Sequence, residues 1–116
     1  MIRTGPTGAR AQRGMLVGVA AMAVQGKAII VDDVLCNGEM PEYVELLSAF
    51  NLHRVGVMAP LEVLEAREAQ RADRRPGLAR WQYGRVHAGI VYDLEVDTSH
   101  LTPLECARRI QQQFRL

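Results

Sequence analysis

Apolar residues recur along the chain with changing periods, and each change marks a change of element. From Ala9 to Gln25, Met15, Val19 and Met22 return every three or four positions, with Leu16, Ala20 and Ala23 beside them, which predicts a helix. Gly26 can take the left-handed conformation that closes it. Ala28 to Leu35 (AIIVDDVL) changes character: Ile29, Ile30 and Val31 are consecutive branched aliphatics, the habit of a strand buried on both faces of a parallel sheet. After the turn Cys36-Asn37-Gly38, Pro41 suits a helix start, and Tyr43, Leu46, Leu47 and Phe50 form one apolar stripe. His53 to Ala59 (HRVGVMA) is a second strand, and Pro60 opens a helix with Glu62 in its first turn.

Residues 65–75 (EAREAQRADRR) are then almost wholly charged or polar, as in a helix that projects into solvent. Pro76-Gly77 breaks it, and Leu78 to Val86 resumes as a helix carrying Trp81, Tyr83 and Arg85. Tyr92 to Asp97 (YDLEVD) alternates apolar and acidic residues, as a half-buried or edge strand does. Thr102-Pro103-Leu104-Glu105 combines a capping box with proline at the first helical position. Leu101, Leu104, Ala107, Ile110 and Phe114 supply the packed side of that last helix. The order helix, strand, helix, strand, helix pair, strand, helix argues for an α/β fold with parallel strands and right-handed crossovers. Residues 1–8 (MIRTGPTG) are turn-rich and expected to be loose, and residues 9–116 form the domain.

Composition narrows the function classes. A formal net charge of +1 gives no global field for nucleic acid or an anionic membrane. No apolar run approaches the roughly 20 residues that cross a bilayer. Met15 to Val24 is apolar and follows Arg10 and Arg13, but it is short and runs straight into a strand pattern, unlike a signal peptide. Cys36 and Cys106 form neither a CxxC pair nor a metal-ligand spacing and read as reduced thiols of a cytoplasmic protein.

Candidate chemistry concentrates in the polar helix pair, about residues 62–87. Arg67, Arg71, Arg74, Arg75 and Arg80 present planar, permanently charged forks that match phosphate oxygens. A mobile arm with several arginines suits closure over a nucleotide. Residue chemistry alone favours a plainer reading, a solvated helix in which Glu65, Glu68 and Asp73 neutralise much of the cluster. Asp32 and Asp33 end a predicted buried strand, where a carboxylate can hold a water on Mg²⁺ or accept a substrate proton; equally, they can start the turn and cap amides. His87 can donate to phosphate but more simply packs and makes one hydrogen bond, and His53 and His100 read as structural or exposed. Gly5-Pro6-Thr7-Gly8 is not a phosphate-binding loop: no strand precedes it, and Arg10-Ala11 stands where lysine and a hydroxyl residue are needed. No GxxxxGK(S/T) occurs elsewhere, and Gly26-Lys27 leads into a strand pattern.

Several motifs in order resemble the chloramphenicol phosphotransferase-like proteins, a branch of the P-loop small-molecule kinases. They are IIVDDVL (Ile29 to Leu35), VGVMAPLEVLEARE (Val55 to Glu68), RADRRPGLA (Arg71 to Ala79), Val86-His87, YDLEVDTS (Tyr92 to Ser99) and ECARRI (Glu105 to Ile110). The resemblance implies a three-layer α/β domain, a parallel sheet flanked by helices, that moves phosphate from ATP with Mg²⁺ to a hydroxyl of a small-molecule acceptor. It casts Arg71 and Arg74 as lid arginines on the ATP phosphates, with Arg67, Arg75, Arg80 and His87 as weaker lid candidates. It sets Asp32 and Asp33 beside the nucleotide and a water-mediated Mg²⁺. The family also implies a central strand, a P-loop and a catalytic aspartate that are not among these residues. The expectation is therefore an N-terminally truncated member that does not bind ATP and Mg²⁺ tightly on its own, with unpaired strand edges that favour self-association. The alternatives are a non-catalytic remnant acting as an interaction module, or another P-loop nucleoside or sugar kinase relative.

Overall fold

A computed structural model of the chain describes residues 4–26 and 28–116. The chain folds as two compact units, Met1–Leu52 and His53–Leu116.

The first unit is helical. Helix α1 spans Pro6–Val24, with its proline in the first turn, where a missing N–H costs nothing. It begins three residues before the expected start, and Gly26 beyond it is left-handed (φ 76°) as expected. Its buried positions are Leu16 and Val19, whereas Met15 and Met22 are exposed, so the packed stripe is rotated from the one the sequence suggests. Helix α2 is Met40–Leu46, shorter than the stripe to Phe50 implies. Leu16, Val19, Leu35, Tyr43 and Leu47 are the buried apolar residues of the unit. Gln12 donates to Glu39 at 2.9 Å and Arg13 pairs with Glu42 at 2.6 Å, tying α1 to the start of α2.

Ala28 to Leu35, expected as a buried strand, forms no strand. Ile30 is 97% exposed, Val31 and Val34 are exposed, and only Leu35 is buried. Strand character requires a neighbour's backbone groups, and the described elements of this unit are helices. Branched aliphatic side chains raise the propensity for extended backbone but cannot supply that neighbour.

The second unit contains the sheet. Strands β1 (Val55–Met58) and β2 (Leu94–Asp97) pair in parallel, with Val55 opposite Leu94 and Met58 opposite Asp97. Between them lie α3 (Leu61–Ala69) and α4 (Leu78–Tyr83), so both predicted strands and the helix pair are present, although each helix ends sooner than expected. Helix α5 (Pro103–Phe114) follows β2 and packs against it. Its capping box is complete: Thr102 Oγ1 accepts the Glu105 amide and the Glu105 carboxylate accepts the Thr102 amide. The packed face of α5 runs through buried Cys106 and half-buried Ile110 and Phe114, while Leu104 and Ala107 face solvent. His53 stacks on Phe114 with ring centres 4.1 Å apart. Val96 is 1% exposed and is the centre of this core.

Candidate functional site

The polar segment between the strands is not one long projecting helix. Helix α3 stops at Ala69, residues 70–77 form a turn-rich connection, and α4 begins at Leu78. Gly77 holds φ 88°, a left-handed conformation that glycine adopts without strain. The connection carries Arg71, Arg74 and Arg75. Arg71 forms a two-pronged pair with Asp73 at 2.7 and 3.0 Å, and that pair holds the guanidinium firmly protonated and the carboxyl below its ordinary range. Arg74 donates to the Gln82 amide oxygen at 3.1 Å. The Arg75 side chain has no hydrogen-bond or ion-pair partner among the described residues and is exposed, although its carbonyl accepts the Leu78 amide.

The other arginines are engaged elsewhere. Arg80 on α4 pairs with Glu65 on α3 at 2.7 Å, an exposed link between the two helices. Arg85 lies 4.7 Å over the Trp81 ring and donates to the Trp81 carbonyl. Glu68, grouped by sequence with the residues that neutralise the arginines, pairs with none of them. It is buried, and its two oxygens accept the backbone amides of Gly77 and Ala79.

Arg67 points to the carboxyl end of the sheet. Its two terminal nitrogens donate to the hydroxyl and the carbonyl of Thr98, both at 2.8 Å. The Thr98 amide and hydroxyl in turn donate to the Met58 carbonyl, so the ends of β1 and β2 and helix α3 are locked together. Asp97 Oδ1 accepts the hydroxyl and the amide of Ser99. Those hydrogen bonds hold the Asp97 carboxyl below its ordinary range, with His100 and Arg67 adding to the effect against some desolvation. Ligands of open parallel sheets gather at this end of the strands. Asp97, Thr98 and Ser99 were not singled out as site residues by sequence chemistry. Their signal was a run of three short polar side chains directly after an alternating strand.

The two aspartates lie in the first unit. Asp33 accepts the Tyr43 hydroxyl at 2.6 Å and the Val34 amide at 2.8 Å, and burial together with Asp33 pushes the Tyr43 phenol up. Asp32 is exposed and has no such partner. Asp33 thus braces α2, and Asp32 is the carboxylate left available. Among the described residues no group of three or more His, Cys, Asp or Glu side chains is arranged to hold a metal ion.

His87 packs with Tyr92, its Nδ1 in hydrogen-bond contact with the Tyr92 hydroxyl. Burial lowers its pKa below the ordinary 6.5, with Glu95 opposing in part. A depressed folded-state value means that His87 takes up its proton more readily unfolded. Its share of stability is complete above pH 6.5 and is lost as pH falls from there through the folded-state pKa. Proton NMR of the imidazole should therefore give a midpoint below 6.5; a midpoint at or above it would contradict this packing.

The second unit is a parallel βααβ unit of the α/β class whose crossover carries an arginine-bearing connection. More specifically, the chain belongs to the chloramphenicol phosphotransferase-like family, whose sequence pattern matches residues 2–115. It is 30% identical over 98 residues to two proteins provisionally named O-phosphotransferases, from Mycobacterium tuberculosis strains CDC 1551 / Oshkosh and H37Rv. Each match covers 84% of this chain and 44% of the relative, so the chain spans less than half the length of those proteins. Among the described residues no helix is long and apolar enough to cross a membrane.

Proposed function

We propose that this chain is part of an ATP-dependent phosphotransferase that acts on a hydroxyl group of a small molecule, within a three-layer P-loop-kinase-like domain. The observation that carries the reading is the connection 70–77. In a chain of this family, it presents Arg71, Arg74 and Arg75 on a short segment held between two helices. The guanidinium of Arg75 is unpaired among the described residues, and Arg71 and Arg74 are held by one exposed carboxylate and one neutral amide. All three can turn their donors to phosphate oxygens: Arg74 and Arg75 gain charge-assisted hydrogen bonds they do not now make, and Arg71 exchanges its pair with Asp73 for bonds of the same kind.

ATP supplies the phosphoryl group in this reading, and the chain's own residues neutralise its charge and shield it from water. The arginines fit a phosphate chain. The backbone cradle and lysine that seat the terminal phosphates need a GxxxxGK(S/T) loop, which does not occur in these 116 residues. The reading therefore draws the cradle from polypeptide outside them.

A second reading is favoured by the pairs already formed. Arg67 with Thr98, Arg71 with Asp73 and Arg80 with Glu65 satisfy much of the cluster internally, as in an interaction module without catalysis. The exposed apolar stretch around Ile30 is a surface for self-association in that case. Incubating the purified chain with Mg²⁺-ATP and a panel of hydroxyl acceptors separates the two. The phosphotransferase reading expects weak ATP binding through the arm, no turnover by the chain alone, and tighter binding with turnover once a polypeptide bearing the cradle is joined in frame. ATP binding that is absent, or untouched by loss of the arginines, sinks that reading, and turnover by the unaided chain sinks the requirement for an outside cradle.

A further inference from the structure

We infer that Glu68 is a positioning residue: its buried carboxylate clamps the two ends of the arginine-bearing connection and presets the spacing of Arg71, Arg74 and Arg75 for a polyphosphate. The inference rests on the phosphotransferase reading and deepens it.

Glu68 lies in the last turn of α3 and is 8% exposed. A buried carboxylate is costly unless hydrogen bonds satisfy it. Here Oε1 accepts the Ala79 amide at 2.7 Å and Oε2 accepts the Gly77 amide at 2.9 Å. Both donors belong to the start of α4, so one side chain closes the chain from residue 68 to residue 79 around the connection. The left-handed Gly77 bends the backbone into this arrangement.

No arginine takes part in the clamp, although Arg67, Arg71, Arg74, Arg75 and Arg80 are all close in sequence. This separation gives the clamp its functional meaning. The exposed pairs Arg71–Asp73 and Arg80–Glu65 are weak restraints, because solvent and salt screen them. The pairs on the connection can be exchanged for phosphate oxygens one by one. Because the frame beneath does not use those guanidiniums, it survives the exchange. A connection ordered before the ligand arrives loses less conformational entropy on binding.

The test uses the full 116-residue chain and inorganic tripolyphosphate, with calorimetry for affinity and amide hydrogen exchange for order. Glu68→Gln keeps the shape but turns an NH₂ group toward a backbone donor. It should leave the fold intact well below its melting temperature, speed exchange at Gly77 and Ala79, and weaken tripolyphosphate binding about tenfold, about 1.4 kcal/mol. Glu68→Asp retains the charge one methylene shorter and should recover part of that loss; if Glu68→Gln does not fold, Glu68→Asp reads the same two quantities. Unchanged affinity in a folded variant, with faster exchange or a lower melting temperature alone, would show a purely structural carboxylate and overturn the inference. Failure of the unsubstituted chain to bind tripolyphosphate overturns the phosphotransferase reading itself, and this inference with it.

Discussion

Replacing Arg74 and Arg75 together with alanine should weaken binding of ATP or tripolyphosphate by about 100-fold while leaving the fold nearly as stable as before. The size follows from the donors removed. Hydrogen bonds between charged groups are worth about 1.5–3 kcal/mol each, and the exposure of this connection puts them at the low end. The small stability cost follows from their surroundings. The Arg75 side chain has no partner among the described residues, and that of Arg74 has only the Gln82 amide oxygen at 3.1 Å. Substitutions of that kind stay within about 0.5 kcal/mol. The remaining affinity should also lose part of its dependence on salt, since fewer charges are screened. Arg71→Ala is a less clean change, because it also frees the Asp73 carboxylate to repel the ligand. An Arg74→Ala, Arg75→Ala double variant that binds as tightly as the original would remove the arm from nucleotide recognition.

Gly56→Ala should destabilise the second unit although it adds only one methyl group to the sheet. Exposed or half-exposed strand positions ordinarily tolerate or welcome a side chain in place of glycine. Gly56 is buried, and a Cβ built there meets the Tyr92 ring at 2.7 and 2.8 Å and the end of Met58 at 2.9 Å. The methionine tip can move. The tyrosine ring is held at its hydroxyl by His87, so either the ring or the strand must shift. Overpacking of this kind costs about 1–3 kcal/mol, read as a lower urea midpoint with an unchanged slope. Truncating the ring with Tyr92→Ala should remove most of the added penalty, so the double variant should be more stable than the sum of the single losses implies. Strict additivity would mean that the two residues do not meet.

Sequence reading served best where one local signal is sufficient. The capping box at Thr102-Pro103-Leu104-Glu105 formed as written, because all its partners lie within four residues. Gly26 closes α1 in the left-handed region, and Pro60 starts α3. Both strands of the second unit were legible from β-branched and alternating residues. Helix phases were less secure. The buried side of α1 runs through Leu16 and Val19, not Met15 and Met22, and α5 turns Leu104 and Ala107 outward. In each case several apolar stripes are available on one helix, and the neighbouring element selects among them.

The candidate site divides the same way. A cluster of arginines between two strands was visible as composition, and the family resemblance supplied a reason for it. Which guanidiniums are committed was invisible, because Arg67 finds Thr98 and Arg80 finds Glu65 across 31 and 15 positions of chain. Glu68 shows the limit most clearly. Its spacing among arginines suggests another ion pair, yet burial leaves it facing backbone amides that only the turn at Gly77 brings within reach.

The helices, the two strands of the second unit, the capping box of α5 and the arginine-rich composition of the segment between those strands follow from the chain alone, because backbone preference and short-range hydrogen bonds act over a few residues. Tertiary structure decided that Ala28 to Leu35 forms no strand, that Asp33 braces Tyr43 while Asp32 stays available, and that Glu68 is a clamp. These outcomes depend on partners distant in sequence and on the removal of water from between them, and neither is encoded in the residue type at any one position.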